Sequence, residues 1–175
     1  MRLQHAAIAV LPYTRPAPKR RMRGESVLMK LKTILVGGLV YYVVMFVVSM
    51  ASAMITHEGM LEEIYKATAA FWRPELRSEP PDMGALMPLW ITTGLISSFI
   101  TAGVYSVFHS ALSGPGWRRG LVFGFAISLL YFGMYGGLYG VFDLPAFIWE
   151  VWAVEGLVLT MIASAALGAV VQKID

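Results

Sequence analysis

Glu155 is the charged residue with the most unusual position in this sequence. It lies inside a long apolar run, whereas the other charged side chains lie between or outside such runs. A carboxylate in hydrocarbon is costly, and in membrane proteins such a group commonly binds an ion or relays a proton. A structural role is the alternative, since near a helix end Glu155 could reach the interface or accept hydrogen bonds from Thr92 or Thr93.

Further titratable residues flank the same runs. His57 and Glu58 follow the first apolar run, and Glu150 precedes the last one. We expect them to lie on the same side of a membrane as Glu155, where an imidazole and carboxylates could relay protons or bind a cation. The spacing matches no established metal-ligand motif. The sequence therefore predicts an ion or proton site made of Glu155, His57, Glu58 and Glu150, with no metal or cofactor assigned.

Sequence signatures of catalysis do not occur. The chain has no His-Glu-x-x-His, no Gly-x-Ser-x-Gly and no phosphate-binding loop, and it contains no cysteine. Ser97 and Ser98 lack a histidine or lysine at comparable depth that could act as a base, which disfavours an intramembrane protease. We therefore expect a protein that is not an enzyme.

The elements that must position these residues follow from composition. Of the 175 residues, 57% are apolar and 14% are charged, against roughly 45–50% and about 25% in soluble domains. Four apolar runs, 34–55, 85–108, 120–142 and 151–171, each reach the roughly 20 residues that a membrane helix needs. We predict an all-α membrane protein, a four-helix transmembrane bundle, because backbone groups in lipid must be paired within the segment.

The distribution of basic residues predicts the orientation. Eleven of the 14 lysines and arginines lie before the first run, in the short second loop or in the tail. This bias places both termini in the cytoplasm, in a multi-pass protein of the cell inner membrane. The obvious electrostatic partner of the basic N-terminal arm is anionic lipid of the inner leaflet, so the net charge of +3 is no evidence for nucleic-acid binding.

The sequence divides into an arm and a membrane domain. Residues 1–29 are basic and proline-rich without apolar periodicity, and we predict a disordered cytoplasmic arm. Met29 would itself make a natural start, so the alternative is that the arm is not translated. Residues 30–175 form the predicted membrane domain, with an outer loop over 56–84. Cleavage after Ala51-Ser52-Ala53 is a further alternative, although the first run is longer than an ordinary signal peptide.

The outer loop contains one segment with helical periodicity, residues 58–72. Its apolar side chains are spaced as on one helix face, and they are Leu61, Ile64, Tyr65, Thr68 and Trp72. We predict a short periplasmic interfacial helix with its aromatic rings at headgroup depth. Glu62 and Lys66 should form an i,i+4 ion pair on its other face.

Small residues at four-residue steps predict where the spans pack. They are Gly94, Ser98 and Ala102 in the second run, Gly120, Gly124 and Ser128 in the third, and Gly156, Thr160, Ser164 and Gly168 in the fourth. The third run has the densest small-residue face. We expect it to be either central in the bundle or at a subunit contact.

Several segments carry a resemblance to known proteins. They are Phe71-Trp72-Arg73-Pro74, Pro81-Asp82-Met83-Gly84, Trp117-Arg118-Arg119-Gly120-Leu121-Val122-Phe123-Gly124 and the run from Trp149 to Gly168. Over residues 30–174 the chain resembles small four-span bacterial inner-membrane proteins of unknown function. The resemblance implies a bacterial inner membrane, and it transfers no catalytic residue.

These observations lead to three functional hypotheses. The first is a non-catalytic accessory or scaffold protein that pairs with itself or with another membrane protein through its glycine- and serine-rich helix faces. The second is a small oligomeric proton- or cation-coupled transporter that uses Glu155. The third is a lipid-binding or lipid-processing membrane protein.

Overall fold

The computed structural model describes residues 30–174, and the regular elements in that range are all helical. In chain order they are α1 (Lys30–Met60), the short α2 (Glu62–Ala67) and α3 (Pro74–Arg77), then α4 (Met83–Phe108), α5 (Gly116–Tyr139) and α6 (Ala146–Ile174). Within the described range four helices are long and apolar enough to cross a membrane, and they contain α1, α4, α5 and α6. This confirms the prediction of four apolar helices. The predicted arm, 1–29, lies outside the described residues.

All four spans begin before the predicted apolar runs, because backbone hydrogen bonding continues where the side chains turn polar. α1 and α6 also extend past the ends of their runs, whereas α4 ends with its run at Phe108 and α5 ends at Tyr139, before its run does. α1 includes two π-helical turns, Thr33–Gly37 and Thr56–Met60. α4 begins at Met83, where the carboxylate of Asp82 accepts a hydrogen bond from the Ala85 amide at 3.0 Å. Pro88 therefore lies inside the helix and not at its first residues.

The spans pack in the spatial order α4, α1, α6, α5. α1 contacts both α4 and α6, whereas the main neighbour of α5 is α6. The expectation that the third span is central in the bundle is therefore wrong. Only the first half of its small-residue face is used: Cβ atoms built on Gly133, Gly136 and Gly137 would meet nothing within 4 Å.

Close backbone approach joins α5 to α6. A Cβ atom on Gly120 would overlap the backbone of Ser164, and one on Gly116 would overlap the carbonyl oxygen of Gly168. A Cβ atom on Gly124 would lie only 2.8 Å from the Cβ atom of Ser164. Any side chain larger than hydrogen at these three glycines would therefore push the two helices apart.

The other predicted packing residues also face helices of the same chain. Gly94 lies against Tyr42 of α1, and Gly156 lies more loosely against Tyr135 of α5. The remaining members of the predicted stripes are buried, and they are Ser98, Ala102, Ser128, Thr160, Ser164 and, beside Gly116, Gly168. The small-residue stripes therefore lie at contacts between helices of this one chain.

The end of the bundle that carries residues 56–82 and 140–145 is here named the long-loop end. Leu61, Ile148 and Trp149 are buried there, and Tyr65 and Trp72 pack beside them. The predicted helix over 58–72 is broken into a π turn, α2 and a 3₁₀ turn at Ala69–Phe71. Its apolar residues cover the start of α6, because the same spacing that suits a lipid surface also suits the rings of Trp149 and Trp152.

Candidate functional site

Glu155 lies at the long-loop end of α6, with its side chain 11% exposed. The Ser52 hydroxyl of α1 donates a hydrogen bond to Glu155 Oε1 at 2.5 Å, and Thr56 Oγ1 lies 2.9 Å from the same oxygen. Thr56 Oγ1 is also 3.0 Å from the Ser52 carbonyl oxygen, so its single proton serves one acceptor at a time. The carboxylate is thus held by two hydroxyl groups of the first span.

The predicted partners of Glu155 on the second span were wrong. The Thr92 hydroxyl donates to the carbonyl oxygen of Pro88, and the Thr93 hydroxyl donates to that of Leu89, both within α4. The cause is the packing order, in which α1 rather than α4 is the neighbour of α6.

His57 joins Glu155 to Tyr65. Its Nε2 lies 3.3 Å from Glu155 Oε2, and its Nδ1 lies 2.7 Å from the Tyr65 hydroxyl oxygen. That oxygen also accepts a hydrogen bond from Trp152 Nε1 at 2.8 Å. We name these four residues, together with Ser52 and Thr56, the Glu155 network.

The Glu155 network accommodates His57 in either charge state. With a neutral imidazole, the Tyr65 hydroxyl donates to Nδ1 and the Nε2–H faces Glu155. With a charged imidazolium, Nδ1–H donates to Tyr65, whose oxygen can accept from both His57 and Trp152. His57 and Glu155 then form an ion pair. The proton can therefore be gained or lost without breaking the chain of hydrogen bonds.

Local backbone structure brings the α1 residues together. Ser52 and Thr56 are four residues apart and share a helix face. The helix then widens into the π turn Thr56–Met60, a geometry often found at functional sites. Ser52, Thr56 and the adjacent His57 all reach the same carboxylate in this arrangement.

Tyr65 is also held in place by the loop that joins α1 to α4. Trp72 packs edge-on against its ring with the centroids 5.1 Å apart, and Trp72 Nε1 donates to its carbonyl oxygen at 3.2 Å. Burial raises the pKa of Tyr65, the hydrogen bond from Trp152 opposes that shift, and the charge of Glu155 adds to it. Tyr65 therefore remains a neutral hydroxyl near physiological pH.

A cavity of about 280 Å³ opens beside the carboxylate. Two aromatic rings from different spans, Tyr135 of α5 and Trp152 of α6, form part of its wall. The complete lining is His57, Tyr135, Trp152, Glu155, Gly156 and Leu159. The Glu155 network can thus be reached by a small molecule or ion.

The structure brings together two of the four predicted site residues. Glu155 and His57 are in contact, whereas Glu58 and Glu150 are exposed and neither lines the cavity. Outside the site, Glu62 forms an ion pair with Lys66, with 2.8 Å between Glu62 Oε1 and Lys66 Nζ. This contact confirms the predicted i,i+4 pair. Among the described residues, no group of three or more His, Cys, Asp or Glu side chains is placed to hold a metal ion.

Comparisons with protein-family models, with curated proteins and with solved structures found no match for this chain.

Proposed function

We propose that this chain is a small non-catalytic membrane protein that binds and transports protons or cations at Glu155. We propose further that it acts as an oligomer in a bacterial inner membrane. The observation that carries the proposal is the contact of Glu155 with His57 beside an open cavity. An imidazole beside a carboxylate can accept and release a proton. A carboxylate near lipid is energetically costly, which favours a function for it.

The inner packing of the bundle supports the oligomer. Ala102, Ala163, Leu167 and Val171 are buried between the spans on the side away from the long-loop end. A transmembrane pathway would therefore have to run between copies rather than through one. In the proposed orientation the basic residues face the cytoplasm, and the Glu155 network faces the periplasm.

Reconstitution tests this proposal. In vesicles loaded with a pH-sensitive dye, the wild-type protein should support proton flux driven by a pH gradient. Glu155→Gln should reduce that flux by about tenfold or more, because an amide neither binds a proton nor carries a charge. Glu150→Gln is the matched control, since Glu150 is exposed on the same helix and does not line the cavity. Equal flux in correctly folded Glu155→Gln protein would refute the proposal.

An accessory or scaffold role is a second candidate, favoured by the unused half of the α5 face. Gly133 and Gly137 lie on the side of α5 away from Tyr135, and Gly136 lies about a quarter turn from it, as the 100° step between helix residues requires. The nearby side chains of Leu130 and Met134 are exposed. A helix of another subunit could approach this half closely, without disturbing the Glu155 network.

A further inference from the structure

The cavity beside Glu155 combines one carboxylate with aromatic walls. Within the described part of the chain, Glu155 Oε1 is engaged by hydroxyl groups of α1, whereas Oε2 has only the longer 3.3 Å contact with His57. Tyr135 and Trp152 line the same cavity, and Gly156 and Leu159 complete an apolar surface. The cavity therefore presents one negative charge in a largely aromatic and aliphatic surrounding.

The carboxylate and the aromatic rings of this lining favour some cations over others. Ammonium groups are attracted both by a carboxylate and by the faces of tryptophan and tyrosine rings. A calcium ion takes six to eight oxygen ligands and a magnesium ion six, whereas the polar side-chain groups of this lining are one carboxylate, one imidazole, one phenol hydroxyl and the indole N–H of Trp152. The volume of about 280 Å³ is slightly below that of ordinary ligand pockets, which begin at about 300 Å³, so the ligand must be small.

We propose that the cavity binds a small organic ammonium group, with its charge at Glu155 Oε2 and its apolar substituents against Tyr135 and Trp152. The proposal deepens the proposed function, on which it rests, by naming the class of cation. The ammonium group belongs either to a soluble amine or to the headgroup of an ethanolamine or choline lipid.

The direct test is equilibrium binding of radiolabelled tetramethylammonium to the full-length protein in phosphatidylglycerol nanodiscs. We expect saturable binding at pH 8 that sodium does not displace. Glu155→Gln should lower the affinity about tenfold or more. Glu150→Gln should leave it unchanged.

Cavity-filling variants provide a second test in case the Glu155→Gln protein does not fold. A Cβ atom on Gly156 would lie 3.9 Å from the Tyr135 ring, so Gly156→Ala fits without strain. Gly156→Leu should fill the cavity and abolish binding while thermal unfolding stays close to that of Gly156→Ala. Tyr135→Leu should weaken binding severalfold, whereas Tyr135→Phe should preserve it because the ring remains.

The lipid composition separates the two sources of the amine. If a lipid headgroup is the natural occupant, nanodiscs with phosphatidylethanolamine should reduce tetramethylammonium binding; if a soluble amine is, binding should be equal in both lipids. Binding that is absent in folded wild-type protein, or unchanged in Glu155→Gln and Gly156→Leu, would overturn the ammonium site. Proton flux that persists in that case would leave the proposed function intact.

Discussion

At the residue scale, the hydroxyl group of Tyr65 connects the loop between α1 and α4 to the carboxylate of Glu155. It lies 2.7 Å from His57 Nδ1 and 2.8 Å from Trp152 Nε1. Ring stacking between His57 and Tyr65, with the centroids 5.8 Å apart, further restricts the imidazole. Tyr65 is therefore a positioning residue that orients His57 toward Glu155.

The alkaline titration of Tyr65 gives a test of this position. Its pKa in the folded protein is raised above the ordinary value of 10.0, first by burial. The stability linked to this group is fully present below pH 10 and is lost as the pH rises through the folded pKa. The difference in tyrosinate absorbance between wild-type protein and Tyr65→Phe should therefore titrate above pH 10. A difference curve centred at or below that value would contradict the buried, hydrogen-bonded environment.

The sequence indicated two residues of this site, and it contained no comparable signal for the others. Glu155 was conspicuous because a charge in an apolar run is rare, and His57 because it follows the first span. Ser52, Thr56 and Trp152 carry no such signal, since hydroxyl and indole groups are ordinary in membrane helices. Choosing α1 over α4 as the source of donors required the packing order, which loop lengths alone do not give.

At the element scale, α5 carries two glycine surfaces with different roles. The first half of α5 approaches the α6 backbone through Gly116, Gly120 and Gly124, and the second half leaves Gly133, Gly136 and Gly137 uncovered. Sequence spacing predicted the contact of small residues but could not show which half would be used, because both halves contain glycines at similar steps. The close contact between α5 and α6 ends where the bulky rings of Tyr135 and Trp149, whose centroids are 6.4 Å apart, lie between the two helices.

Matched alanine substitutions should separate the two surfaces. Gly120→Ala should destabilise the protein by about 2 kcal/mol or more, because the added methyl group overlaps the Ser164 backbone. Gly136→Ala should be neutral or stabilising by up to about 1 kcal/mol, because nothing lies within 4 Å of its Cβ position and alanine favours a helix. Unfolding in mild detergent, followed by circular dichroism, measures both.

The bulkier Gly136→Leu variant then tests the accessory candidate. It should unfold like the wild-type protein yet lose oligomers or co-purifying membrane partners in native mass spectrometry. Unchanged assembly in that variant would count against a partner on this half of α5. The comparable variant at Gly124 would not be informative, because that residue contacts Ser164 within the same chain.

At the scale of the whole molecule, the Glu155 network and a group of basic residues lie at opposite ends of the four-helix bundle. The long-loop end carries the Glu155 network and the acidic residues of the loop between α1 and α4, whereas the other end carries Arg118, Arg119 and Lys173. The sequence alone predicted the number of long apolar helices correctly, because twenty-residue apolar runs leave few alternatives. The packing order and the cavity depend on side-chain fit between distant spans, so they required the structure.

Single cysteines can test the proposed orientation, because the chain contains no cysteine of its own. Ala70 at the long-loop end and Ser113 in the opposite loop are both exposed, and a cysteine at either position changes no charge. In intact bacterial cells a membrane-impermeant maleimide should label Ala70→Cys. Ser113→Cys should react only after the membrane is permeabilised, because the basic residues beside it hold that loop in the cytoplasm. The reverse labelling pattern would place the Glu155 network on the cytoplasmic side, where a proton or amine would approach it from inside the cell.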